Sequence, residues 1–185
     1  MKKKMSRKGV VLVLSGPTGV GKTTLASWLA ENSDFSYLST SQIIRDGSPS
    51  LEVKRSALQQ AGNTLDKVTE FGWICHAVVK ALNYLDERLV VVDSVRKPQQ
   101  VSVMRKVLAD QVVHCHLHAS VAELKERHRS RNKVEDLGLS HGDIQADESE
   151  SFHYELRAMA DIALESVGGN TDALGRRLLN TLRTK

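Results

Sequence analysis

Near the amino end of the chain, three glycines, a lysine and a threonine follow one another in a spacing that suits the binding of phosphate groups. The segment runs Gly16-Pro17-Thr18-Gly19-Val20-Gly21-Lys22-Thr23-Thr24. Its glycines allow backbone conformations that are closed to other residues and turn backbone N–H groups inward, toward an anion. Lys22 can reach the β and γ phosphates of a nucleotide, and the Thr23 hydroxyl can bind Mg²⁺. The segment therefore predicts a phosphate-binding loop, with ATP and Mg²⁺ as cofactors.

A second candidate site follows the continuous apolar run Leu89-Val90-Val91-Val92, which ends at Asp93. Such a run is typical of a strand covered on both faces, and ligands of parallel sheets bind at the carboxyl ends of the strands. Asp93 is therefore expected to hold Mg²⁺ together with Thr23. Arg96 stands three residues later, and its forked guanidinium suits two oxygens of a phosphate. We expect Lys22, Asp93 and Arg96 to be catalytic.

Three histidines, His114, His116 and His118, alternate along one apolar run, so their side chains should lie on one face of a strand. A metal site is one interpretation of this spacing. The other is a set of hydrogen-bonded histidines near the ligand end of the sheet, and this one is favoured because no fourth ligand is indicated. His118 is nearest to that end and is expected to approach the nucleotide.

Alternating strands and helices must position these residues. Apolar runs predict five strands, over residues 10–14, 35–39, 89–93, 112–118 and 162–164. Apolar residues at helical spacing predict helices over residues 25–31, 101–108, 121–131 and 171–182. The alternation predicts an α/β fold, namely a three-layer α/β/α P-loop NTPase fold with a five-stranded parallel sheet.

The remaining segments divide the predicted domain, residues 9–185, into functional parts. Residues 50–88 have a helical pattern, with two or three helices broken near Ala61-Gly62-Asn63 and Phe71-Gly72, and this insertion is expected to shape a second substrate pocket. Residues 131–151 are polar and poorly periodic, which predicts a mobile cover or surface loop. Residues 1–8 form a basic tail that is expected to be disordered.

Composition and charge narrow the class of protein. A length of 185 residues, 41% hydrophobic and 26% charged, fits one compact domain. The net charge is +4, but the basic tail supplies five positive charges and the rest of the chain is at −1, so nucleic acid is a possible partner and not the favoured one. No signal peptide is indicated and no run approaches the roughly twenty apolar residues of a membrane helix, which predicts a cytoplasmic protein without a membrane partner. Nothing in the sequence indicates an oligomeric state.

Three parts of the chain together resemble the P-loop nucleoside monophosphate kinases. They are the phosphate loop, the segment Leu38-Ser39-Thr40-Ser41-Gln42-Ile43-Ile44-Arg45, and Asp93 with Arg96. In those kinases a Ser-Thr-Gly-Asp-x-x-Arg segment lines the acceptor nucleotide site. Ser41-Gln42 stands here in place of the Gly-Asp of adenylate kinases, so the acceptor base does not follow from them.

Two further segments resemble particular branches of these kinases. Arg55-Ser56-Ala57-Leu58-Gln59-Gln60-Ala61-Gly62, followed by Trp73, is similar to the Arg-x-x-Leu-Gln-x-x-Gly…Trp pattern of phage-type deoxynucleoside monophosphate kinases. Asp93-Ser94-Val95-Arg96 is similar to the Asp-Gly-Ile-Arg of archaeal adenylate- and dephospho-coenzyme-A-kinase-like proteins. The resemblance spans most of the chain.

The resemblance implies roles for individual residues. Arg45, Arg55 and Arg96 would bind the acceptor phosphate, and Ser39, Thr40 and Gln59 would lie around its base or sugar. Residues 40–88 would be the acceptor-binding region, and residues 131–150 a short lid without the paired cysteines of zinc-bearing lids. The arginines that precede this lid are Arg127, Arg129 and Arg131. Of these, Arg127 and Arg131 are expected in the site, because they are four residues apart on one helix face.

The sequence thus predicts Mg²⁺-dependent transfer of the ATP γ-phosphate to a small nucleotide-like acceptor, with a ribo- or deoxynucleoside monophosphate favoured. One alternative is a kinase for a hydroxyl of dephospho-coenzyme A, a polynucleotide end or a modified base. Another alternative, from a different class, is a P-loop ATPase that acts as a switch or assembly factor. A rate that depends on the acceptor would separate a kinase from a switch.

Overall fold

A computed structural model of the chain describes residues 9–52, 54–84, 88–130 and 152–184. The tail, Arg131 and the predicted lid lie outside these ranges. All five predicted strands are present, and their ends differ from the predicted ends by at most one residue. They are β1 (Val10–Ser15), β2 (Ser36–Leu38), β3 (Leu89–Val92), β4 (Val112–His118) and β5 (Ile162–Glu165).

The strands form one parallel sheet in the order β2-β3-β1-β4-β5. β1 is central, with Val13 opposite Val92 of β3 and Leu14 opposite Cys115 of β4. The connection that leaves β1 crosses the sheet toward β2, whereas the connections that leave β3 and β4 cross it in the opposite direction, so the direction changes beside β1. Ligands of such sheets bind beyond the carboxyl ends of the strands at this switch point. The phosphate loop leaves β1 there.

Eight α-helices connect and flank the strands in the described part of the chain. They are α1 (Lys22–Asn32), α2 (Thr40–Gly47), α3 (Arg55–Val68), α4 (Trp73–Tyr84), α5 (Pro98–Leu108), α6 (Val121–Ser130), α7 (His153–Ala158) and α8 (Thr171–Arg183). The helices α2 and α7 were not predicted, because neither is long enough to show a clear helical period. No helix of this part of the chain is sufficiently long and apolar to cross a membrane.

Two apolar cores, one on each face of the sheet, confirm the three-layer α/β/α fold. The alternation of side chains along β1 sends Val11 and Val13 to one face and Leu12 and Leu14 to the other, and all four are fully buried. The first face packs against α4, α5 and α7. The second packs against α1, α6 and α8. The continuous apolar runs in the sequence therefore reflect strands that are covered on both sides.

The predicted helix break at Ala61-Gly62-Asn63 is wrong, because α3 continues through this segment as far as Val68. Leu58, Ala61 and Leu65 of α3 pack against the core, and this tertiary packing outweighs the low helix propensity of one glycine. The second predicted break is confirmed. The chain leaves α3 through Glu70 and Phe71, both with positive φ, and α4 begins after Gly72.

Gly175 is required where α8 crosses α1, since a Cβ at this position would collide with ring carbons of Trp28. We expect Gly175→Ala to lower the free energy of unfolding by about 1–3 kcal/mol, despite the better helix propensity of alanine. Gly62→Ala in α3 is the matched control, because its Cβ would lie at an ordinary 3.5 Å from Ile44 Cδ1. Urea unfolding of both variants checks this, and equal stability of the two would contradict it.

Candidate functional site

A cavity of about 820 Å³ lies at the carboxyl ends of β1, β2 and β3. The predicted residues in its wall are Gly16, Thr18, Gly19, Gly21, Lys22, Thr23 and Thr24 of the loop, with Ser39, Thr40, Arg45, Arg55, Asp93, Arg96 and Arg127 from elsewhere. The fold thus brings together residues from seven separate elements or connections. Pro17 and Val20 belong to the loop without lining the cavity, and Val20 is fully buried.

The loop between β1 and α1 has the conformation that its glycines permit. Gly16, Gly19 and Gly21 have φ values of 134°, 84° and 101°. A Cβ at Gly16 would also collide with the backbone oxygen of Leu117, so no other residue fits there. The Lys22 ammonium donates to the carbonyl oxygens of Gly16 at 2.6 Å and Pro17 at 2.9 Å. The start of the loop and the lysine are therefore held together.

Asp93 accepts hydrogen bonds from three sides at the end of β3. Its Oδ2 accepts from the Thr23 hydroxyl at 2.9 Å and from the Tyr37 hydroxyl at 2.8 Å, and its Oδ1 accepts from the Thr40 N–H at 3.2 Å. The carboxylate is 3% exposed. Burial, followed by the charge of Asp93, raises the pKa of the Tyr37 phenol above its ordinary value, so Tyr37 is a stable donor.

The Thr23–Asp93 pair fits Mg²⁺ by its chemistry. A hydroxyl and a carboxylate are the oxygen ligands that this ion accepts from proteins, which it binds through few protein groups while keeping several waters. Both oxygens face the cavity at the start of α1, beside the loop. The predicted metal residues thus lie in contact with each other, although they are seventy positions apart in the chain.

Two of the predicted acceptor-site arginines are already oriented by hydroxyl groups of the cavity. The Arg55 guanidinium, 7% exposed, donates from Nη2 to the Thr18 hydroxyl at 2.9 Å. Arg45 Nη2 donates to the Ser41 hydroxyl at 3.2 Å. The first bond connects α3 to the phosphate loop. Guanidinium groups of α2 and α3 therefore line the same cavity as the phosphate loop.

Gln59 lies outside the main cavity wall. It lines a smaller adjoining cavity of about 70 Å³, which shares Thr40, Ser41 and Arg96 with the larger one. Trp73, which belongs to the pattern shared with the phage-type kinases, also lines this smaller cavity. The region between α2, α3 and α4 thus contains a small cavity beside the main one, and the role of this insertion in shaping a substrate pocket stays a prediction.

A buried polar network that the sequence did not reveal supports the connection carrying Arg96. Asp66 of α3 accepts from Trp73 Nε1 and Gln100 Nε2, each at 2.8 Å, and pairs with the Lys97 ammonium at 3.0 Å. Gln100 Oε1 in turn accepts from the backbone N–H groups of Arg96 and Lys97. The insertion therefore fixes the backbone on which the Arg96 side chain stands.

Arg127 lines the cavity and connects the phosphate loop with the segment that follows β5. Its guanidinium donates to the Ser166 carbonyl at 2.7 Å, to the Ser166 hydroxyl at 3.0 Å and to the Val20 carbonyl at 3.3 Å. It also pairs with Glu123, whose pKa is lowered mainly by the Gly168 N–H. The Arg129 side chain points into solvent and not into the cavity, since it is 76% exposed. Arg131, the other predicted lid arginine, lies outside the described residues.

Two of the three alternating histidines are hydrogen-bonded within the core, as favoured from the sequence. The Ser15 hydroxyl lies 2.7 Å from His114 Nε2 and 2.9 Å from His116 Nδ1, and all three side chains are buried. No group of three or more His, Cys, Asp or Glu side chains suited to a metal ion occurs in the described ranges. His118 is not part of the cavity wall in this part of the chain, whereas His153 is.

The buried histidines predict a loss of stability toward acid. Burial, followed by Arg105, lowers the pKa of His114 to about 4, and burial, followed by His153, lowers that of His116 to about 3. In the unfolded chain, both histidines take up a proton near pH 6.5. The stability that their neutral forms contribute to the folded chain is therefore complete above about pH 6.5. The free energy of unfolding then falls as the pH decreases toward about 4.

We expect His116→Gln to reduce the pH dependence of the unfolding free energy by up to about one proton in this window. The measurement is urea unfolding at about pH 7 and about pH 5, with His76→Gln, an exposed histidine of α4, as the control. An unchanged pH dependence in His116→Gln would show that this histidine does not resist protonation.

Tyr37 and His153 line the cavity and were not predicted. Tyr37 lies in β2 beside the residues that were singled out, and a hydroxyl one residue before the end of an edge strand is the signal that could have revealed it. His153 begins α7, a helix too short to be recognised, and no sequence signal points to it. Both depend on how the strands and helices assemble.

Comparison with known proteins gives a family and a set of similar folds. The sequence profile of the family described as an AAA domain matches residues 11–162. None of the curated proteins compared with the chain matches it in sequence.

Several solved structures share the fold. Shikimate kinase from Acinetobacter baumannii, in complex with shikimate, has a TM-score of 0.62 at 16% identity, covering 96% of this chain and 94% of that one. The tunicamycin resistance protein of Deinococcus radiodurans has a TM-score of 0.60 at 20% identity, with coverages of 95% and 96%. A gluconokinase from Sinorhizobium meliloti 1021 has a TM-score of 0.52 at 18% identity, with coverages of 96% and 98%.

Proposed function

Because the chain belongs to the AAA domain family and has a P-loop kinase fold, we propose that it is an ATP-dependent phosphotransferase whose acceptor is a nucleoside monophosphate. The observation that carries this proposal is a single cavity lined by two kinds of phosphate-binding group. The glycine loop and Lys22 line it together with three arginines, Arg45, Arg55 and Arg96. The family supports the phosphotransferase class, and the arginines support the acceptor.

A phosphate-bearing acceptor explains the concentration of guanidinium groups. Each guanidinium can donate two parallel hydrogen bonds to a phosphate, and its charge is retained at any physiological pH. Three such groups are more than a neutral alcohol would need, because an uncharged ligand offsets neither the buried charge of Arg55 nor the partly exposed charges of Arg45 and Arg96. They suit a dianionic phosphate whose oxygens they would orient in line with ATP.

Phosphoryl transfer requires positioning and electrostatic stabilisation more than covalent chemistry. In the proposed reaction the loop N–H groups and Lys22 bind the β and γ phosphates, and the arginines hold the attacking phosphate oxygen in line with the γ-phosphorus. Magnesium, held by Thr23 and Asp93, would neutralise charge on the phosphate oxygens. The acceptor phosphate is already ionised, so the reaction needs no general base.

A hydroxyl acceptor is the second candidate. Two of the proteins with a similar fold are named for such acceptors, a shikimate kinase and a gluconokinase. In that case Asp93 is the carboxylate nearest to Thr23 and would take up the hydroxyl proton. The three arginines disfavour an uncharged alcohol, whereas a hydroxyl acceptor that also carries a carboxylate or a phosphate would match them.

The experiment incubates the full chain with ATP and Mg²⁺ and a panel of acceptors, and measures both ADP release and the phosphorylated product. The panel contains ribo- and deoxynucleoside monophosphates, the matching nucleosides, shikimate, gluconate, dephospho-coenzyme A and single-stranded DNA. We expect product with at least one monophosphate and none with its nucleoside. Product with an alcohol alone would support the second candidate, and ADP release that no acceptor stimulates would support a switch.

Arg96→Ala should raise KM for the monophosphate by about 10- to 100-fold, because it removes charge-assisted hydrogen bonds. KM for ATP should stay unchanged, since the loop and Lys22 are intact. Arg177→Ala, which alters an exposed arginine of α8, is the control. Steady-state kinetics with each substrate varied in turn provides both constants, and an unchanged KM for the acceptor in Arg96→Ala would remove this residue from the site.

A further inference from the structure

His153 lies in the wall of the phosphate cavity without belonging to any motif of the chain. It is the first residue of α7 and is half-buried. Its ring meets the ring of His116 edge to face, with centroids 6.2 Å apart and planes at 62°. One imidazole therefore borders the cavity, and a second one supports it from the core.

The supporting imidazole is fixed to the base of the phosphate loop. His116 is 2% exposed, and its Nδ1 lies 2.9 Å from the hydroxyl of Ser15, the residue directly before Gly16. Ser15 has a single hydroxyl proton and also meets His114 Nε2, so it donates to one ring and accepts from the other. The two neutral rings therefore carry the same tautomer, because Nε2 of His114 and Nδ1 of His116 take opposite roles at the hydroxyl, and this fixes their orientation.

His153 and Lys22 act on the same region of the cavity. Both line its wall, and both lie near His116, whose pKa is lowered mainly by burial and further by its proximity to these two residues. Lys22 donates to the carbonyl of Gly16, which follows Ser15 directly. The His153 ring and the Lys22 ammonium therefore lie close to the same buried imidazole, next to the start of the phosphate loop.

We propose that His153 contacts the nucleotide directly, donating a ring N–H to the terminal phosphate of a bound nucleoside triphosphate, with His116 and Ser15 as positioning residues. The inference rests on the proposed function in one respect, namely that a triphosphate occupies the cavity. It does not depend on the identity of the acceptor.

The test compares binding of MgATP and MgADP by titration calorimetry, because only MgATP carries the terminal phosphate. His153→Ala should weaken MgATP binding by about 10- to 100-fold and leave MgADP binding unchanged, as expected for loss of one hydrogen bond to a charged group. His76→Ala, at an exposed position of α4, should affect neither. Unchanged MgATP binding, or equal weakening of both nucleotides, would overturn the proposal.

Three further variants separate the hydrogen bond from the packing of the ring. His153→Phe keeps a ring against His116 and lacks the N–H donor, so it should weaken MgATP binding as much as His153→Ala does. If His153→Ala fails to fold, His153→Phe takes its place in the test. His153→Gln places an amide nitrogen near the position of Nε2, and His153→Asn places one near Nδ1. We expect one of the two amides to restore MgATP binding, and restoration by neither would overturn the proposed donor.

The role of His116 is tested through a double-mutant cycle. His116→Gln should reduce the preference for MgATP over MgADP in the wild-type background, and this effect should vanish when His153 is already alanine. A purely structural role would persist in both backgrounds. If the nucleotide preference depends on His153 while no acceptor is phosphorylated, the inference holds and the proposed function fails. If an acceptor is phosphorylated and His153→Ala leaves the preference for MgATP over MgADP unchanged, the proposed function holds and the inference about His153 fails.

Discussion

Replacing Lys22 by alanine should abolish ATP-dependent phosphorylation of every acceptor, with a loss in kcat on the order of 10³-fold or more. In the proposed reaction the lysine supplies the positive charge that stabilises negative charge developing on the transferred group. No other lysine lines the cavity in the described ranges to replace it. The measurement is product formation under saturating ATP and acceptor, so that a change in affinity alone does not account for the loss.

The fold should survive this substitution. The Lys22 ammonium donates to the Gly16 and Pro17 carbonyls at the cavity surface, and water can satisfy these acceptors after its removal. Lys106→Ala, at an exposed position of α5, is the matched control and should retain full activity. Measurable turnover by a well-folded Lys22→Ala protein would contradict the proposed chemistry.

Asp93→Asn should reduce activity by a factor on the order of 10² to 10³ while the protein stays folded. The amide keeps the shape of the carboxylate and an oxygen for the Thr40 N–H, and the hydroxyls of Thr23 and Tyr37 can rotate to accept from its nitrogen. It has lost the charge that we propose for holding Mg²⁺. Titration of activity with Mg²⁺ should therefore shift to higher concentrations.

Asp93→Ala should differ from the asparagine variant in stability. It leaves the buried donors of Tyr37 and Thr40 without their acceptor, so we expect the free energy of unfolding to fall by about 1–3 kcal/mol or more. Asp34→Asn, at an exposed position after α1, controls for the general effect of losing one negative charge. An asparagine variant with wild-type Mg²⁺ dependence would refute the metal role of Asp93, and its structural role would remain.

The parts of the site that the sequence predicts are those that local residues determine. The loop conformation depends on Gly16, Gly19 and Gly21 within one turn of chain, and the position of Asp93 follows from the buried strand directly before it. Long-range assembly determines the rest. Tyr37 meets Asp93 only because β2 lies beside β3, and the Arg55–Thr18 bond exists only because α3 folds back over the loop.

The helix boundaries also divide into those that local residues determine and those that tertiary packing determines. The helix α5 begins at Pro98, three residues before the predicted start at Val101, although the preference of proline for the first helical position indicates this start. Phe71-Gly72 forms the turn that local chemistry indicates. Gly62 misled the prediction, because its local preference for a break is outweighed by the apolar face that α3 buries on both sides of it. A single sequence contains no direct information on that burial.

The Arg55–Thr18 hydrogen bond has a consequence for how the two substrates affect each other. The guanidinium has further N–H groups for an acceptor, so an acceptor bound there would share Arg55 with Thr18, in the loop that would grip ATP. Any influence of one substrate on the other through this shared group is reciprocal by linkage: if the acceptor changes ATP binding by some factor, ATP changes acceptor binding by the same factor. Arg55→Ala should then abolish whatever coupling this bond transmits between the two substrates.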